Sequence, residues 1–540
     1  MQGIPDSFLA PEAAQAQVVR ALPELHYPAR LNLFTELVER RLEAGTGSAI
    51  AYRGDWGVLS YAQLAARVHR LSAVLTGLGV SAGDRVILRV EDSPTLAALL
   101  LAIWRIGAVA IPTFVKLRAR DLVYRERDTE ARLLITSAQV ADEVIEAQPE
   151  FAHIQHVVAV PDADHPGHRG LAELERDAPE SVDVAPTASS DVAAILFTSG
   201  STGEPKGAYH SHADLLSVPD AYGNYALGVR PTDVFAGPPP LSFALGFLYH
   251  VLVPLRFGAS AVLGVPKEPM AYLRAIAEHE VTVFAAVPTF YNQLLNAAEG
   301  AGAPWPGTSV RCVKSGGEPL SQVLFDRFQE WAGLPLTNLI GFTEVMHHCI
   351  SYREDAGWTK STALGRALPG WEVVLRDPDS FEPVARGEPG MLTVRGPTAT
   401  KYWRKPERQA EAVRDGWNCF RDVMTMDEAG YLRFGMRQDE IIVTAGYNVA
   451  PAEVEGILSR HPAVRECACI GAPDPAGVRP TVIKAFVVVS EDRSRDADLV
   501  AELQDFFKRS GPPHLYPRAI EFVDELPRTS TGKLHRAALR

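Results

Sequence analysis

The run Phe197-Thr198-Ser199-Gly200-Ser201-Thr202-Gly203-Glu204-Pro205-Lys206-Gly207 gathers three glycines, four hydroxyls and a lysine into eleven residues. An apolar, β-type stretch over 192–197 leads into it. A strand ending in such a loop can wrap backbone N–H groups and hydroxyls around phosphate oxygens, with the lysine as counter-charge. The spacing is not that of a Walker A loop. That motif needs four residues between its first glycine and a Gly-Lys-Ser/Thr end, and here Pro205 precedes the lysine.

The elements that must position this loop follow an alternating pattern. Strands are predicted over 85–90, 133–136 and 281–286, and helices over 93–107 and 288–298. Ser93 supplies an N-cap and Pro94 a first helical residue. The alternation implies α/β layers around buried sheets. The stretch 161–186, rich in Asp, Glu, Pro and Ala, reads as a surface excursion. With 540 residues the chain exceeds one ordinary core. The character changes near residue 439, after which short elements follow: strand 440–444, helix 451–460, strands 464–470 and 483–489, helix 498–510 and strand 520–523. Val454, Ile457 and Leu458 fall on one face of the first helix. Two domains are expected, 1–438 and 439–540.

A net charge of −13 argues against non-specific nucleic-acid binding and against docking on an acidic membrane. Five cysteines give no disulfide framework; Cys467 and Cys469 flank Ala468 in a strand and share a face as small buried side chains. Residues 1–10 lack the pattern of a signal peptide, and the longest apolar stretch, 96–104, is too short to span a bilayer. A cytoplasmic location is expected.

Further segments follow the glycine-rich loop in order: Ser315-Gly316-Gly317-Glu318-Pro319, Asn338-Leu339-Ile340-Gly341-Phe342-Thr343-Glu344, Asp422, Arg437 and Pro527-Arg528-Thr529-Ser530-Thr531-Gly532-Lys533. Together they resemble the motifs of the adenylate-forming superfamily, which includes acyl-CoA and aryl-CoA ligases, adenylation domains and luciferases. The resemblance runs from about residue 31 onward. It implies an α/β fold with a large N-terminal domain of layered β-sheets and helices, and a small mobile α+β C-terminal domain that carries the catalytic lysine.

The resemblance also implies roles. Thr198, Ser199, Gly200, Ser201, Thr202, Gly203 and Lys206 would hold the phosphates of ATP. Ser315 and Gly316 would line the acyl pocket, and Gly317, Glu318 and Pro319 the adenine, where glycines allow a flat ring to approach the backbone. Asn338 would read the adenine amino group, with Ile340, Gly341 and Phe342 beside it; Ile340 stands where the family has tyrosine. Thr343 would touch the α-phosphate, and Glu344 would hold Mg²⁺, a hard cation that prefers oxygen. Asp422 would bind the ribose hydroxyls, although Phe420 and Arg421 replace the family's Thr-Gly. Arg437 would reach ribose or phosphate. Asp439 matches the hinge, Gly446 and Tyr447 would line the coenzyme A tunnel, and Lys533 would meet the substrate carboxylate and the α-phosphate.

Such residues would join a carboxylate to AMP and then pass the acyl group to a thiol. Charge builds on the phosphoryl oxygens, so cations and N–H donors are needed there. No general base is needed, because the carboxylate is ionised at neutral pH. Within the superfamily the chain is most similar to benzoate-CoA and 2-aminobenzoate-CoA ligases, through the segment 22–32, through Thr343-Glu344-Val345-Met346-His347, and through Ser242-Phe243-Ala244-Leu245-Gly246. This similarity places Phe243, Ala244, Leu245, Phe342 and His347 around an aromatic ring. The 242–245 run offers no aspartate for an α-ammonium, which disfavours α-amino acids. The expected partners are a small aromatic acid and CoA, with a carrier-protein thiol as the alternative acceptor, in a monomer or homodimer. A nucleotide-binding scaffold without catalysis is the reading from another class; retention of Glu344 and Lys533 speaks against it.

Overall fold

The computed structural model describes residues 3–161, 168–198, 205–352, 363–437, 440, 442–444, 447–474, 481–490, 493–528 and 534–540. Two large sheets dominate. The first has seven strands in the spatial order His168–Gly170, His156–Val160, Leu133–Ser137, Arg85–Arg89, Val109–Pro112, Val192–Thr198, Lys206–Ser211. All neighbours are parallel except the last pair. The second has nine strands, and its centre runs parallel through Thr337–Phe342, Cys312–Ser315, Val283–Ala286, Val234–Ala236, Ser260–Val262 and Ile50–Gly54. Parallel sheets need cover on both faces, and the largest apolar cluster provides it between the two sheets.

The helix Pro94–Arg105 lies at the heart of that cluster. Every residue from Leu96 to Arg105 is buried. Its start follows from local chemistry: Ser93 Oγ accepts the Leu96 N–H at 3.3 Å, and Pro94 occupies the first turn, where no N–H is missed. The Trp104 indole donates to the Ala193 carbonyl at 2.9 Å, tying this helix to the strand that feeds the glycine-rich loop.

The stretch expected to be a surface excursion is more structured than its composition suggests. His168–Gly170 adds an edge strand, and Leu171–Asp177 forms a helix. Leu171, 3% exposed, joins the central cluster with Leu174 packed against it, because leucines three apart share a helix face. A third, antiparallel sheet holds Glu372–Arg376, Gly390–Arg395, Val413–Arg414, Trp417–Met426 and Leu432–Arg437.

From Ile442 onward the chain builds separate sheets. Ile442–Thr444 pairs with Tyr447–Val449, and Val464–Ala472, Val482–Val489 and Ala519–Phe522 form a three-stranded sheet. Helices Pro451–Leu458 and Ala497–Ser510 cover one face of it, with Val454, Ile457, Leu458 and Cys469 in the core between them. Cys467 packs on that same side, whereas Ala468 faces a smaller cluster on the opposite one. No helix among the described residues is long and apolar enough to cross a membrane.

Candidate active site

The glycine-rich loop joins the antiparallel strands Val192–Thr198 and Lys206–Ser211, whose register places Thr198 opposite Lys206. These two residues are the posts of the loop. Ser199, Gly200, Ser201, Thr202 and Gly203 lie outside the described residues. Burial pushes the Lys206 ammonium below its ordinary pKa, and Glu344 works against that shift. The ammonium lies 5.1 Å from the centroid of the Tyr402 ring, a favourable cation–π distance.

Tyr402 arrives there because the segment around it pairs with the strand that starts at Lys206. Ala208 and Tyr402 form an antiparallel bridge, the Tyr209 N–H donates to the Lys401 carbonyl at 2.9 Å, and the Trp403 N–H donates to the Gly207 carbonyl at 2.8 Å. The Tyr402 hydroxyl then donates to Glu344 Oε1 at 3.0 Å. One tyrosine thus connects the loop lysine to the candidate cation carboxylate. Sequence reasoning missed it, because Tyr402 belongs to none of the motifs.

Thr343 and Glu344 sit in a short turn, Thr343–Val345, at the end of the strand Thr337–Phe342. That strand contributes Leu339, Gly341 and Phe342 to a cavity of about 1270 Å³, and Thr343 and Glu344 line the same cavity. Asn338 is buried, and its side-chain oxygen accepts the Leu339 N–H at 3.0 Å; Ile340 packs against the central cluster. The two glycines expected beside a flat ring differ. Gly317 lines the cavity with φ +88°, whereas a Cβ on Gly316 would meet Leu339 Cδ1 at 2.3 Å. Ser315 is fully buried at the end of its strand. The Glu318 carboxylate accepts the Thr289 N–H at 3.1 Å and its hydroxyl at 2.8 Å. It thereby caps the helix Pro288–Ala301, where negative charge is favoured. Pro319 follows just before the helix Gln322–Ala332.

The Phe420-Arg421-Asp422 departure has a structural counterpart. Phe420 stacks on Phe342, with centroids 3.6 Å apart and planes 13° apart. This joins the strand Trp417–Met426, which carries Asp422, to the strand before Thr343. Asp422 lines the cavity, is largely buried, and stands opposite Arg437 in the strand register; the Arg437 side chain lies outside the described residues. Arg408 and Arg421 line the cavity near Glu411, at 2.9 and 3.5 Å.

At the acyl end, Phe243, Ala244 and Leu245 line the cavity. Phe243 directly precedes a helix that begins at Ala244–Phe247 and continues through a π-helical stretch, Leu248–Leu252. The start is tightly constrained: a Cβ on Gly246 would meet the Pro240 carbonyl oxygen at 2.1 Å. The backbone of His347 pairs with Phe342, but its side chain lies outside the described residues. The next residue, His348, lines the cavity.

Arg528 reaches this cavity from the C-terminal region, with Nη1 3.5 Å from Thr289 Oγ1 and Nη2 2.8 Å from Glu466. An Arg528–Leu534 bridge and a 2.8 Å bond from the His535 N–H to the Pro527 carbonyl form a hairpin stem. Residues 529–533, including Lys533, lie outside the described residues, as do Asp439 and Gly446; the backbone of Tyr447 pairs with Thr444, and its side chain lies outside them too.

The cavity therefore has two characters. Lys206, with Arg408 and Arg421 close enough to act on its charge, lines the polar half and suits a polyphosphate. Phe243, Ala244, Leu245 and Leu248 make the other half apolar, suited to a flat ring. Glu344, with one oxygen oriented by Tyr402, fits a hard cation such as Mg²⁺, which would neutralise charge on phosphate oxygens when bound.

The chain belongs to the AMP-binding enzyme family. The family model for AMP-binding enzymes matches residues 38–403, and that for the AMP-binding enzyme C-terminal domain matches residues 453–533. The benzoate–CoA ligase of Thauera aromatica is 33% identical over 523 residues, covering 96% of this chain and 97% of that protein. The 3-hydroxybenzoate–CoA ligase of Aromatoleum sp. (strain CIB) is 31% identical over 515 residues, covering 94% and 96%. The crystal structure of the anthranilate CoA ligase AuaEII with anthranoyl-AMP superposes with a TM-score of 0.89 at 29% identity, covering 96% of this chain and 98% of that one.

Proposed function

We propose that this enzyme activates a small aromatic carboxylic acid of the benzoate or 2-aminobenzoate type with ATP and transfers the acyl group to coenzyme A. The observation that carries this reading is the single cavity in which a phosphate-suited, cation-lined half adjoins an apolar half. The similarity to benzoate–CoA and anthranilate CoA ligases supports the choice of acid.

In the first step a carboxylate oxygen attacks the α-phosphorus of ATP. The bond from the α-phosphorus to the bridging oxygen breaks, and pyrophosphate leaves with the electron pair. Lys206 and the loop hydroxyls hold the phosphates, Thr343 meets the α-phosphate, and Lys533 bridges carboxylate and phosphate. Gly317 and Asn338 serve the adenine, and Asp422 with Arg437 the ribose. Glu344 would hold a Mg²⁺ ion, which would supply charge neutralisation on the phosphate oxygens. In the second step the CoA thiolate attacks the acyl carbon, and AMP departs. A domain boundary at Asp439 would let the C-terminal domain swing, withdrawing Lys533 and presenting Gly446 and Tyr447 to the pantetheine. A carrier-protein thiol is the alternative acceptor, the enzyme works as a monomer or homodimer, and its place is the cytoplasm.

The test is to supply ATP, Mg²⁺ and a panel of benzoates, hydroxybenzoates, aminobenzoates and fatty acids, with and without CoA. Pyrophosphate release with an aryl acid, and an aryl-CoA thioester by mass, are the expected results. Release only with aliphatic acids would overturn the choice of substrate, and a thioester formed only on a carrier protein would overturn the choice of acceptor.

A further inference from the structure

The helix Ala119–Thr129 packs behind the posts of the glycine-rich loop and is fixed at both of its own ends. At its start the Ala119 N–H donates to Glu143 Oε2 at 2.7 Å, and the Arg118 N–H to Asp121 Oδ2 at 3.1 Å. At its end the Trp403 indole donates to the Asp128 carbonyl at 3.0 Å, and Arg404 Nη1 to the Asp128 and Arg127 carbonyls at 3.3 and 3.4 Å. These are last-turn carbonyls, which a helix cannot satisfy internally. Leu122 and Val123 bury its apolar side in one cluster with Ile195, Tyr209 and Trp403. The segment that carries Tyr402 to Lys206 therefore also closes this helix.

Two neighbouring side chains of the helix meet the entry and the exit of the loop. At the entry, Arg125 sets its guanidinium 4.8 Å from the centroid of the Phe197 ring, and the Tyr124 ring meets Phe197 edge to face with centroids 6.4 Å apart. At the exit, the Tyr124 hydroxyl donates to the Pro205 carbonyl at 2.8 Å. That carbonyl shares one planar peptide unit with the Lys206 N–H. Holding its oxygen orients the backbone from which the Lys206 side chain leaves for the cavity. Phe197, Thr198 and Lys206 line that cavity, whereas Tyr124 lines a separate cleft with Arg120 and Arg127. Tyr124 thus bears on the reaction through the residues it holds.

We propose that Tyr124 is a positioning residue for the first half-reaction: its hydroxyl, by holding the Pro205 carbonyl, sets the Lys206 ammonium where the phosphates of ATP are met. This rests on the ATP-dependent reading above and adds to it a residue from outside every motif. A cation stabilises developing phosphoryl charge best when it is aimed before the charge appears. Tyr124 exchanges no proton and forms no bond to substrate. Pyrophosphate has left before the thiol attacks, so the second half-reaction makes less demand on Lys206.

The test is Tyr124→Phe, which keeps the ring between Phe197 and Lys405 and removes the hydroxyl. In pyrophosphate exchange driven by an aryl acid, kcat/KM for ATP should fall by about 3- to 10-fold, with KM for the acid within about twofold. Thioester formation from supplied aroyl-AMP and CoA should stay within about twofold, and the thermal midpoint within about 2 °C. A double-mutant cycle with Lys206→Gln is read by binding of an ATP analogue that carries a methylene between its α- and β-phosphates. Tyr124→Phe should weaken that binding by about 3- to 10-fold when Lys206 is present and by less than about twofold when it is replaced. Unchanged exchange, an equal loss in both half-reactions, or an equal weakening with and without Lys206 would overturn the proposal and make Tyr124 a packing residue. Absence of exchange with every aryl acid in the wild type would sink the aryl-acid reading instead, and the binding cycle would still judge Tyr124.

Discussion

Replacing Tyr402 by phenylalanine isolates one atom of the candidate site. The ring that faces Lys206 stays, and only the hydroxyl that orients Glu344 Oε1 at 3.0 Å is removed. Tyr402 is only 4% exposed. A hydrogen bond to a charged group is worth about 1.5–3 kcal/mol, which corresponds to about 10- to 150-fold in rate if the carboxylate orientation matters in the transition state. The assay is exchange of labelled pyrophosphate into ATP at graded Mg²⁺ concentrations. Tyr402→Phe should reduce exchange within that range and shift half-saturation to higher Mg²⁺, with KM for the aryl acid unchanged. Thioester formation from chemically prepared aroyl-AMP and CoA should be spared. Full exchange activity, or an equal loss in both half-reactions, would refute the link drawn between Tyr402, Glu344 and the phosphates.

Arg536, three residues past Lys533, pairs with Glu455 at 2.8 Å and approaches Glu440 at 3.8 Å. Glu455 Oε1 also accepts the Cys469 N–H at 2.7 Å. Burial raises the Glu455 carboxyl and Arg536 opposes that rise, so Arg536→Met should cost the C-terminal region about 3–5 kcal/mol by stranding a buried carboxylate. Hydrogen exchange would show the loss confined to residues after 440, and the double variant with Glu455→Gln should recover most of it. Stability should also depend on pH. Burial pushes His210 and His250 down to about 4 and His212 to about 3, from 6.5. The unfolded chain therefore binds protons that the native one refuses, and stability falls as pH drops from about 6.5 towards 4, by about 2 kcal/mol per histidine at pH 5. Urea midpoints at pH 5 and pH 8 would measure this. His212→Asn, which keeps an acceptor for the Leu33 N–H now 3.3 Å from Nδ1, should flatten the slope.

The parts of this account that were legible in the sequence are those set by local chemistry. Ser93 and Pro94 predict the start of the buried helix because capping needs only neighbouring residues. The alternation of Cys467, Ala468 and Cys469 predicts their opposite faces because a strand has period two. The glycine-rich run marks the loop between Thr198 and Lys206. What was not legible depends on long-range pairing. Tyr402 meets Lys206 and Glu344 only because its segment adds to a strand nearly two hundred residues earlier. The Phe342–Phe420 stack joins two different sheets. That His348 lines the cavity had no local signal, since it follows from the pairing of His347–Ser351 with Thr337–Phe342. Leu171 was hidden by the acidic composition around it.

The central claim is that the C-terminal hairpin delivers Lys533 to the phosphate-suited half of the cavity for the first half-reaction only. The stem places Arg528 at the cavity wall, 3.5 Å from Thr289. The most direct measurement compares Lys533→Ala with the wild type in both half-reactions. Pyrophosphate exchange should fall by about 100-fold or more, while thioester formation from supplied aroyl-AMP and CoA should continue at a rate close to the wild-type one. Undiminished exchange would contradict the account.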